Sequence, residues 1–408
     1  VSTLPVARTV ERQATLSALS QLRRLFWSSP LIWTFGIILF VSLAGAAGTH
    51  FLVPLFGWGW GVEAIDAPGG WLTHFARWDA GYYLRIAQTG YRIDGPERAF
   101  FPLYPLVARA VAALFGLSIF WSGWLVSLGA FFGATALLYR FIQLDYGVIV
   151  ARRAVLWFCC TPVSFFFVAF YPESLFLLLS IASLYFARRG QFLLGGLMIG
   201  LAGATRPTAF LLAVPYLVEF VLQRDFRRSR WLQWAGGAAL APLGTLAYLI
   251  FLSQQTASAN PVTIYNENLA NNWETETTWP WTTFAHGIQS ALFGSDIGTD
   301  WFSRIIVWQD LLAAVFGVAI AIWSLRNLRP SYSLLLVASL LFFTTSHGPS
   351  GYVFESMPRH IASIVPLYMG IAVLFGRLPL AVRRTLLTLS LIFLGLFSAW
   401  FASGRWVS

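Results

Sequence analysis

Apolar residues along this chain gather in long runs, and polar residues fill the gaps between them. The first run extends over about 31–55, enough to cross a bilayer, which needs about 20 apolar residues. A polar interval follows to about residue 100. The stretch 101–116 is apolar but opens with Pro102 and Pro105 and contains Arg109, so it reads as a helix lying at the outer interface. Further spans are expected near 118–139, 154–170, 174–187, 191–205, 208–222, 232–253, 304–325, 332–347, 360–376 and 385–402, about eleven in all. The pattern predicts an all-α integral membrane protein, a polytopic helical bundle. Residues 1–30 form a lead-in, and 31–408 a single membrane domain with two long polar intervals, 56–117 and 254–303.

Charge orients this bundle. With the N-terminus inside, 18 of the 27 basic residues, all of them Arg, fall in inner segments, as the positive-inside rule expects. Only Glu11, Asp145, Glu219 and Asp225 of the 17 acids do so. Counting 101–116 as a span would turn the Arg-rich segment 224–230 outward, so the eleven-span version is preferred. Both long polar intervals then face outside. The expectation is a multi-pass protein of the plasma (inner) membrane with a cytoplasmic N-terminus and an extracytoplasmic active site.

Composition agrees with this reading. Charged residues make up 11% of the chain and hydrophobic ones 57%, whereas soluble domains carry about 25% charged residues. The net charge of +10 is scattered over short loops. With no basic domain to track a phosphate backbone, nucleic acid is not an expected partner. Residues 1–24 hold Arg8, Arg12, Arg23 and Arg24 but no short apolar region with a cleavage site, which argues against a signal peptide. Cys159 and Cys160 are adjacent within an apolar run and read as small core residues, too few for a metal cage.

The segment 77–105, RWDAGYYLRIAQTGYRIDGPERAFFPLYP, is chemically dense for an inter-helix link. Asp79 precedes a short helix and suits an N-cap, or a base that takes the proton of an attacking hydroxyl. A sugar leaving on a phosphate needs no acid to protonate the leaving group, so one carboxylate suffices, whereas glycoside hydrolysis needs two. Glu173 opens a span at its outer end; it suits the helix dipole, yet an acid beside hydrocarbon is also a functional candidate. Arg206 is an isolated charge in an apolar region. It is either a snorkelling side chain or a fork for phosphate. Arg359 and His360 precede another span on the same outer face; Arg359 could hold a phosphate, or simply pair with Glu355. In the second interval Trp273 sits among Asn266, Asn271 and Glu274, which suits stacking on a sugar as well as an interfacial belt. The histidines show no metal-ligand spacing, and no Gly-rich phosphate loop is present.

These residues carry a resemblance. Trp78-Asp79-Ala80-Gly81-Tyr82-Tyr83, Ile86-Ala87, Gly90-Tyr91 and Ala99-Phe100-Phe101-Pro102 resemble the first lumenal loop of the PIG-V family. That family adds the second mannose to glycosylphosphatidylinositol anchors and has bacterial relatives identified as mannosyltransferases. Tyr171-Pro172-Glu173-Ser174-Leu175-Phe176 is similar to the family's Tyr-x-Glu-x-Leu-Phe turn, and Thr205-Arg206-Pro207 to an Arg turn at the same place in the helix order. The segment 356–360 is similar to a Ser-x-Pro-Arg-Tyr element, with His360 replacing the Tyr.

The resemblance implies a GT-C-like bundle, a polyprenyl-phosphate-mannose donor and inversion at the anomeric carbon. It further implies Asp79 as base and Arg206 and Arg359 at the donor phosphate; His360, where the family has Tyr, is a candidate there from its place beside Arg359 alone. Glu173, Trp78, Tyr82, Tyr83, Tyr104 and Trp273 are candidates for acceptor or sugar contacts. No cofactor is expected, and a divalent metal is possible but not indicated. The acceptor, a glycolipid or glycan, is left open. Two alternatives stand beside this expectation: a transporter or flippase of a lipid-linked sugar, which favours broken helices and mid-membrane charge, and the same fold using arabinose or glucose.

Overall fold

The computed structural model describes residues 30–58, 75–92, 95–256, 260, 262–263, 265–267, 276–294, 301–347, 353–354 and 356–407. The lead-in 1–29, Trp273 and Glu355 lie outside the described residues. In chain order the helices are α1 (Pro30–Phe56), α2 (Ala80–Thr89), α3 (Leu103–Phe115), α4 (Ile119–Cys159), α5 (Glu173–Arg188), α6 (Phe192–Gly203) and α7 (Ala213–Gln223). They continue with α8 (Arg228–Leu240), α9 (Leu243–Thr256), α10 (Pro280–Phe293), α11 (Trp301–Asn327), α12 (Pro330–Thr344), α13 (Met357–Ala362), α14 (Val365–Phe375) and α15 (Leu380–Ala402).

Helices thus fall where the apolar runs place them, in a polytopic all-helical bundle. Among the described residues, five stretches are long and apolar enough to cross a membrane unaided: α1, α4, α8 with α9, α11 and α15. The other expected spans correspond to shorter helices. One antiparallel pair, β1 (Glu276–Thr277) with β2 (Ser346–His347), ties the second polar interval to the end of α12.

The expected spans 118–139 and 154–170 need correction. They share one 41-residue stretch, α4, which bends at Gly147, where φ is 75° and ψ 177°. That length at 1.5 Å per residue is about twice the hydrocarbon thickness, so the chain has to turn. Helix then ends at Cys159 rather than continuing to 170. Pro162 and Pro172 bracket a non-helical segment with a single 3₁₀ turn, Ser164–Phe167, and residues 163–174 are all buried. Irregular backbone at such depth is tolerated where protein surrounds it. Here its carbonyls find partners: Ser174 Oγ donates to Phe167 O at 2.7 Å and Ser127 Oγ to Tyr171 O at 3.0 Å.

A second break follows α6, where Pro207 opens a 3₁₀ segment, Pro207–Leu212, before α7. A third separates α13 from α14. The interfacial helix expected at 101–116 is α3, whose buried face holds Tyr104, Pro105, Ala108 and Ala112. Its hinge side is fixed by Leu103 N donating to Ala204 O at 2.8 Å. Upstream, Glu97 accepts from Arg85 at 2.9 Å and Arg92 at 2.7 Å. Burial opposes the charge on Glu97, but its own backbone N–H and these two arginines hold the carboxyl below its usual value.

Two buried polar networks mark opposite ends of the same helices. At the far end of α5, Arg188 Nη2 meets Asp145 at 2.6 Å, and Tyr332 Oη donates to Asp145 Oδ2 at 2.6 Å. Close by, Arg329 Nε and Ser331 Oγ donate to Glu219 Oε1 at 2.6 and 2.5 Å. This network ties α4, α5, α7 and the start of α12. The other begins at Glu173, the first residue of 16-residue α5, about 24 Å away along the helix.

Helix α6 approaches α8 and the start of α9 backbone to backbone. A Cβ on Gly196 would collide with the Gly237 carbonyl, and one on Gly244 with the Gly200 carbonyl. Small residues permit such contact where lipid supplies no hydrophobic drive between helices. Gly196→Ala is therefore expected to destabilise the bundle by about 1–3 kcal/mol. Gly129→Ala, in α4 with open space around it, is expected to be neutral or slightly stabilising. Thermal unfolding in detergent micelles checks this, and equal midpoints for the two variants would contradict the packing account.

Candidate active site

Each of the three helix breaks and the left-handed turn at Trp78 delivers a charged side chain to one place. Asp79 stands at the N-cap position of α2, but its backbone is already helical (φ −53°, ψ −24°) and its side chain makes no capping bond. Its Oδ2 instead accepts from Arg359 Nη1 at 2.7 Å, across 280 residues of sequence. Arg359, on α13, also donates from Nε to Glu173 Oε1 at 2.5 Å. The same Oε1 accepts from Arg206 Nη1 at 3.0 Å. Arg206 Nη2 lies 3.5 Å from His360 Nδ1, and the His360 ring stacks on Phe343 with centroids 4.8 Å apart.

Five candidates from the sequence, Asp79, Glu173, Arg206, Arg359 and His360, therefore form one cluster. Two of the plainer roles considered for them are not the ones found. Arg206 does not snorkel, since its side chain is 11% exposed and paired. Asp79 bonds to arginine rather than capping, whereas Glu173 keeps its place in the first turn of α5 and bonds two arginines as well.

The cluster is dry. Side-chain exposure is 13% at Asp79, 9% at Arg359 and 1% at Glu173. Two carboxylates and two guanidiniums cancel in formal charge, which such burial requires. Aromatic faces complete the walls: the Arg359 guanidinium lies 4.8 Å from the Phe166 ring centre and 4.9 Å from that of Tyr171. Arg206 lies 5.8 Å from the Phe176 ring. Cation–π contact of this kind strengthens when water is excluded. One buried atom, Glu173 Oε2, has no hydrogen-bond partner, a feature that native structures rarely leave without a role.

Beside the cluster lies a small, partly open cavity of about 20 Å³, lined by Phe176, Thr208, Leu212, Phe343 and Ile364 among others. It is mostly apolar, and the Ser180 and Thr208 hydroxyls on its lining are buried without partners.

The remaining candidates are placed differently. Tyr83 is buried with its ring edge-on to Phe100 and Tyr104, and 6.5 Å from Tyr171. Tyr82 stacks on Phe100 at 4.8 Å. The Tyr104 hydroxyl faces α4, donating to Gly123 O at 3.0 Å and lying 2.9 Å from Ser127 Oγ. Trp78 packs edge-to-face on Trp406 at 5.0 Å. Trp279 and Trp281 are exposed and stack on each other at 4.8 Å. Sequence does not single out Phe166 and Phe343, because aromatic residues inside apolar runs carry no distinguishing signal, nor Trp406, which stands past the last run with no motif around it. Among the described residues no group of three or more His, Cys, Asp or Glu could hold a metal ion.

With this geometry in view, the class of sequence can be stated. Residues 62–235 match the family model described as Mannosyltransferase (PIG-V), and over that stretch the resemblance seen in the motifs is borne out. More particularly, the chain is 32% identical over 168 residues to GPI alpha-1,6-mannosyltransferase 2 of Rattus norvegicus, covering 39% of this chain and 32% of that protein. It is 33% identical over 105 residues to GPI mannosyltransferase 2 of Yarrowia lipolytica, covering 26% and 28%. The alignments thus span about a third of the curated relatives. Among solved structures, the chain is similar to ArnT from Cupriavidus metallidurans bound to undecaprenyl phosphate (TM-score 0.47, 14% identity, 91% of this chain and 76% of that one). It is also similar to the oligosaccharyltransferase of Archaeoglobus fulgidus (TM-score 0.44, 12% identity, 91% and 56%). The matched family segment contains Asp79, Glu173 and Arg206, while Arg359 and His360 lie beyond it.

Removing the shared cation leaves Asp79 without its partner and Glu173 with Arg206 alone. Arg359→Met is expected to cost about 3–5 kcal/mol of stability. Arg359→Lys should lose part of that, because one ammonium cannot reproduce the fork that spans both acids. Thermal unfolding of the purified variants in detergent reads this; an unchanged midpoint for Arg359→Met would rule out the bridge.

Proposed function

We propose that the protein is an inverting glycosyltransferase moving a mannosyl residue from polyprenyl-phosphate-mannose to a lipid-linked or glycan acceptor on the extracytoplasmic face. The observation that carries this reading is the convergence of Asp79, Glu173, Arg206 and Arg359 from four separate segments into one buried cluster. The PIG-V match over 62–235 and the mannosyltransferase relatives support the sugar and the reaction class.

The chemistry follows from what each group can do. Arg206 and Arg359 present N–H forks suited to a donor phosphate, giving paired charge-assisted bonds. Asp79 takes the proton of the acceptor hydroxyl as its oxygen attacks the anomeric carbon from the side opposite the phosphate, so configuration inverts. The glycosidic C–O bond to phosphate breaks, and polyprenyl phosphate leaves with one more negative charge than its oxygens carried in the diester. Protonated Asp79 holds Arg359 less strongly, which frees that guanidinium to follow the growing phosphate charge. Glu173 keeps the two arginines apart at a fixed spacing, and its free Oε2 can accept from a sugar hydroxyl.

Asp79→Asn keeps the shape and removes the base. Transfer of radiolabelled mannose in proteoliposomes, to a total lipid and glycan extract, is expected to fall by roughly 10²–10⁴-fold while donor binding persists. Equal transfer by both proteins would remove Asp79 as base. A transporter reading is favoured by one observation, the helix breaks at 160–172 and 204–212; donor crossing the bilayer without transfer would establish it.

Metal dependence has its own test. The site's two acids already hold guanidiniums, the positions a divalent cation would otherwise take. Transfer is therefore expected to continue in EDTA at an undiminished rate. Loss that Mg²⁺ or Mn²⁺ restores would show that a metal displaces these pairs.

A further inference from the structure

We propose that the segment after α15, residues 403–407, is a positioning element for Asp79, with Trp406 as its working residue. This rests on the reading of Asp79 as the base.

The argument starts at Trp78, whose φ is +55°. A bulky aromatic in the left-handed region is sterically disfavoured, and such a conformation persists only where its surroundings over-determine it. It is also the residue on which the direction of Asp79 depends. Ala80 N donates to Arg77 O at 3.2 Å and Gly81 N to Trp78 O at 2.9 Å, closing a turn around Trp78 and Asp79. If Trp78 relaxed to a right-handed or extended conformation, the Asp79 side chain would leave the chain in another direction, and its 2.7 Å bond to Arg359 would be lost.

What holds the turn can be traced on both sides. On one side, Tyr171 Oη donates to Arg77 O at 2.9 Å and Phe170 N to Phe75 O at 3.2 Å. The other side is the end of α15 and the segment beyond it. Arg77 Nε donates to Ala402 O at 3.2 Å, and the Trp406 ring meets the Trp78 ring edge-to-face at 5.0 Å and 76°.

The segment is itself anchored. Gly404 turns the chain at φ +80°, Arg405 N donates to Trp400 O at 3.0 Å, and Val407 is 1% exposed. Arg405 Nη2 reaches Phe56 O at 3.1 Å, tying the segment to the end of α1. Trp406 therefore presses on Trp78 from a fixed base. Its contact is with Trp78 rather than with the charged cluster, which makes it a positioning residue.

The test uses the full chain in proteoliposomes, with Trp406→Ala, Trp406→Phe, Trp78→Gly and the Trp78→Gly/Trp406→Ala pair. Trp406→Ala is expected to lower kcat about tenfold or more with the KM for donor unchanged, and Trp406→Phe to restore most of it, since a ring edge is what the contact uses. Independently of activity, hydrogen exchange at the Ala80 and Gly81 amides should speed up in Trp406→Ala, while α4 peptides stay protected. Glycine adopts positive φ freely, so adding Trp406→Ala to Trp78→Gly should change exchange in the turn no further.

Unchanged kcat with unchanged exchange would overturn the proposal. So would faster exchange throughout the chain, or an equal effect of Trp406→Ala in the Trp78→Gly background. Failure of the wild type to transfer mannose would instead remove the glycosyltransferase reading, and the exchange data would still decide whether Trp406 positions the turn.

Discussion

The structure depends on a single buried guanidinium. Arg359 binds a carboxylate from the first polar interval and another from the start of α5, and two aromatic rings cover it. Remove it and Asp79 stands uncompensated while Glu173 keeps only Arg206; keep it and three distant segments are held within hydrogen-bond reach. Its geometry sets the spacing of Arg206 through the shared Glu173 oxygen. The proposed transfer chemistry uses the same bonds, so the cluster that stabilises the fold is also the one that would bind phosphate.

Reaching that arrangement requires helices to stop inside the bundle. An uninterrupted helix satisfies its own backbone and presents side chains only along its length. Pro162, Pro172 and Pro207 halt helices where charged side chains are needed, and hydroxyls such as Ser127 and Ser174 take up carbonyls that the breaks leave over. Gly147 does the same for direction, turning a stretch too long for one crossing.

Much of this was legible in the sequence, for a physical reason. Lipid demands long apolar runs, so helix positions can be read directly, and a charge such as Arg206 in apolar surroundings stands out because its burial is costly. The first polar interval is recognisable from its spaced aromatic and acidic residues. Other features were hidden. An apolar run does not say whether it is helix or buried irregular chain, so 160–170 reads as the end of a span. Asp before a short helix has the pattern of a cap, and only the approach of Arg359 from 280 residues away assigns its carboxylate elsewhere. Phe166 and Trp406 matter through what they touch, which residue type alone does not reveal.

The two buried networks at opposite ends of α5, α7 and α12 have a mechanical consequence. At one end Glu173, Arg206 and His360 with Phe343 link these helices; at the other Asp145, Arg188, Glu219, Arg329 and Tyr332 do. Alternating access needs one end of a bundle to open while the other closes. Here the same three helices are cross-linked at both ends by buried ion pairs and ring contacts, so a rocking cycle would have to break one set on every stroke. A protein clamped in this way is suited to admitting substrates from the side, between helices or beneath the polar intervals, while its frame stays still.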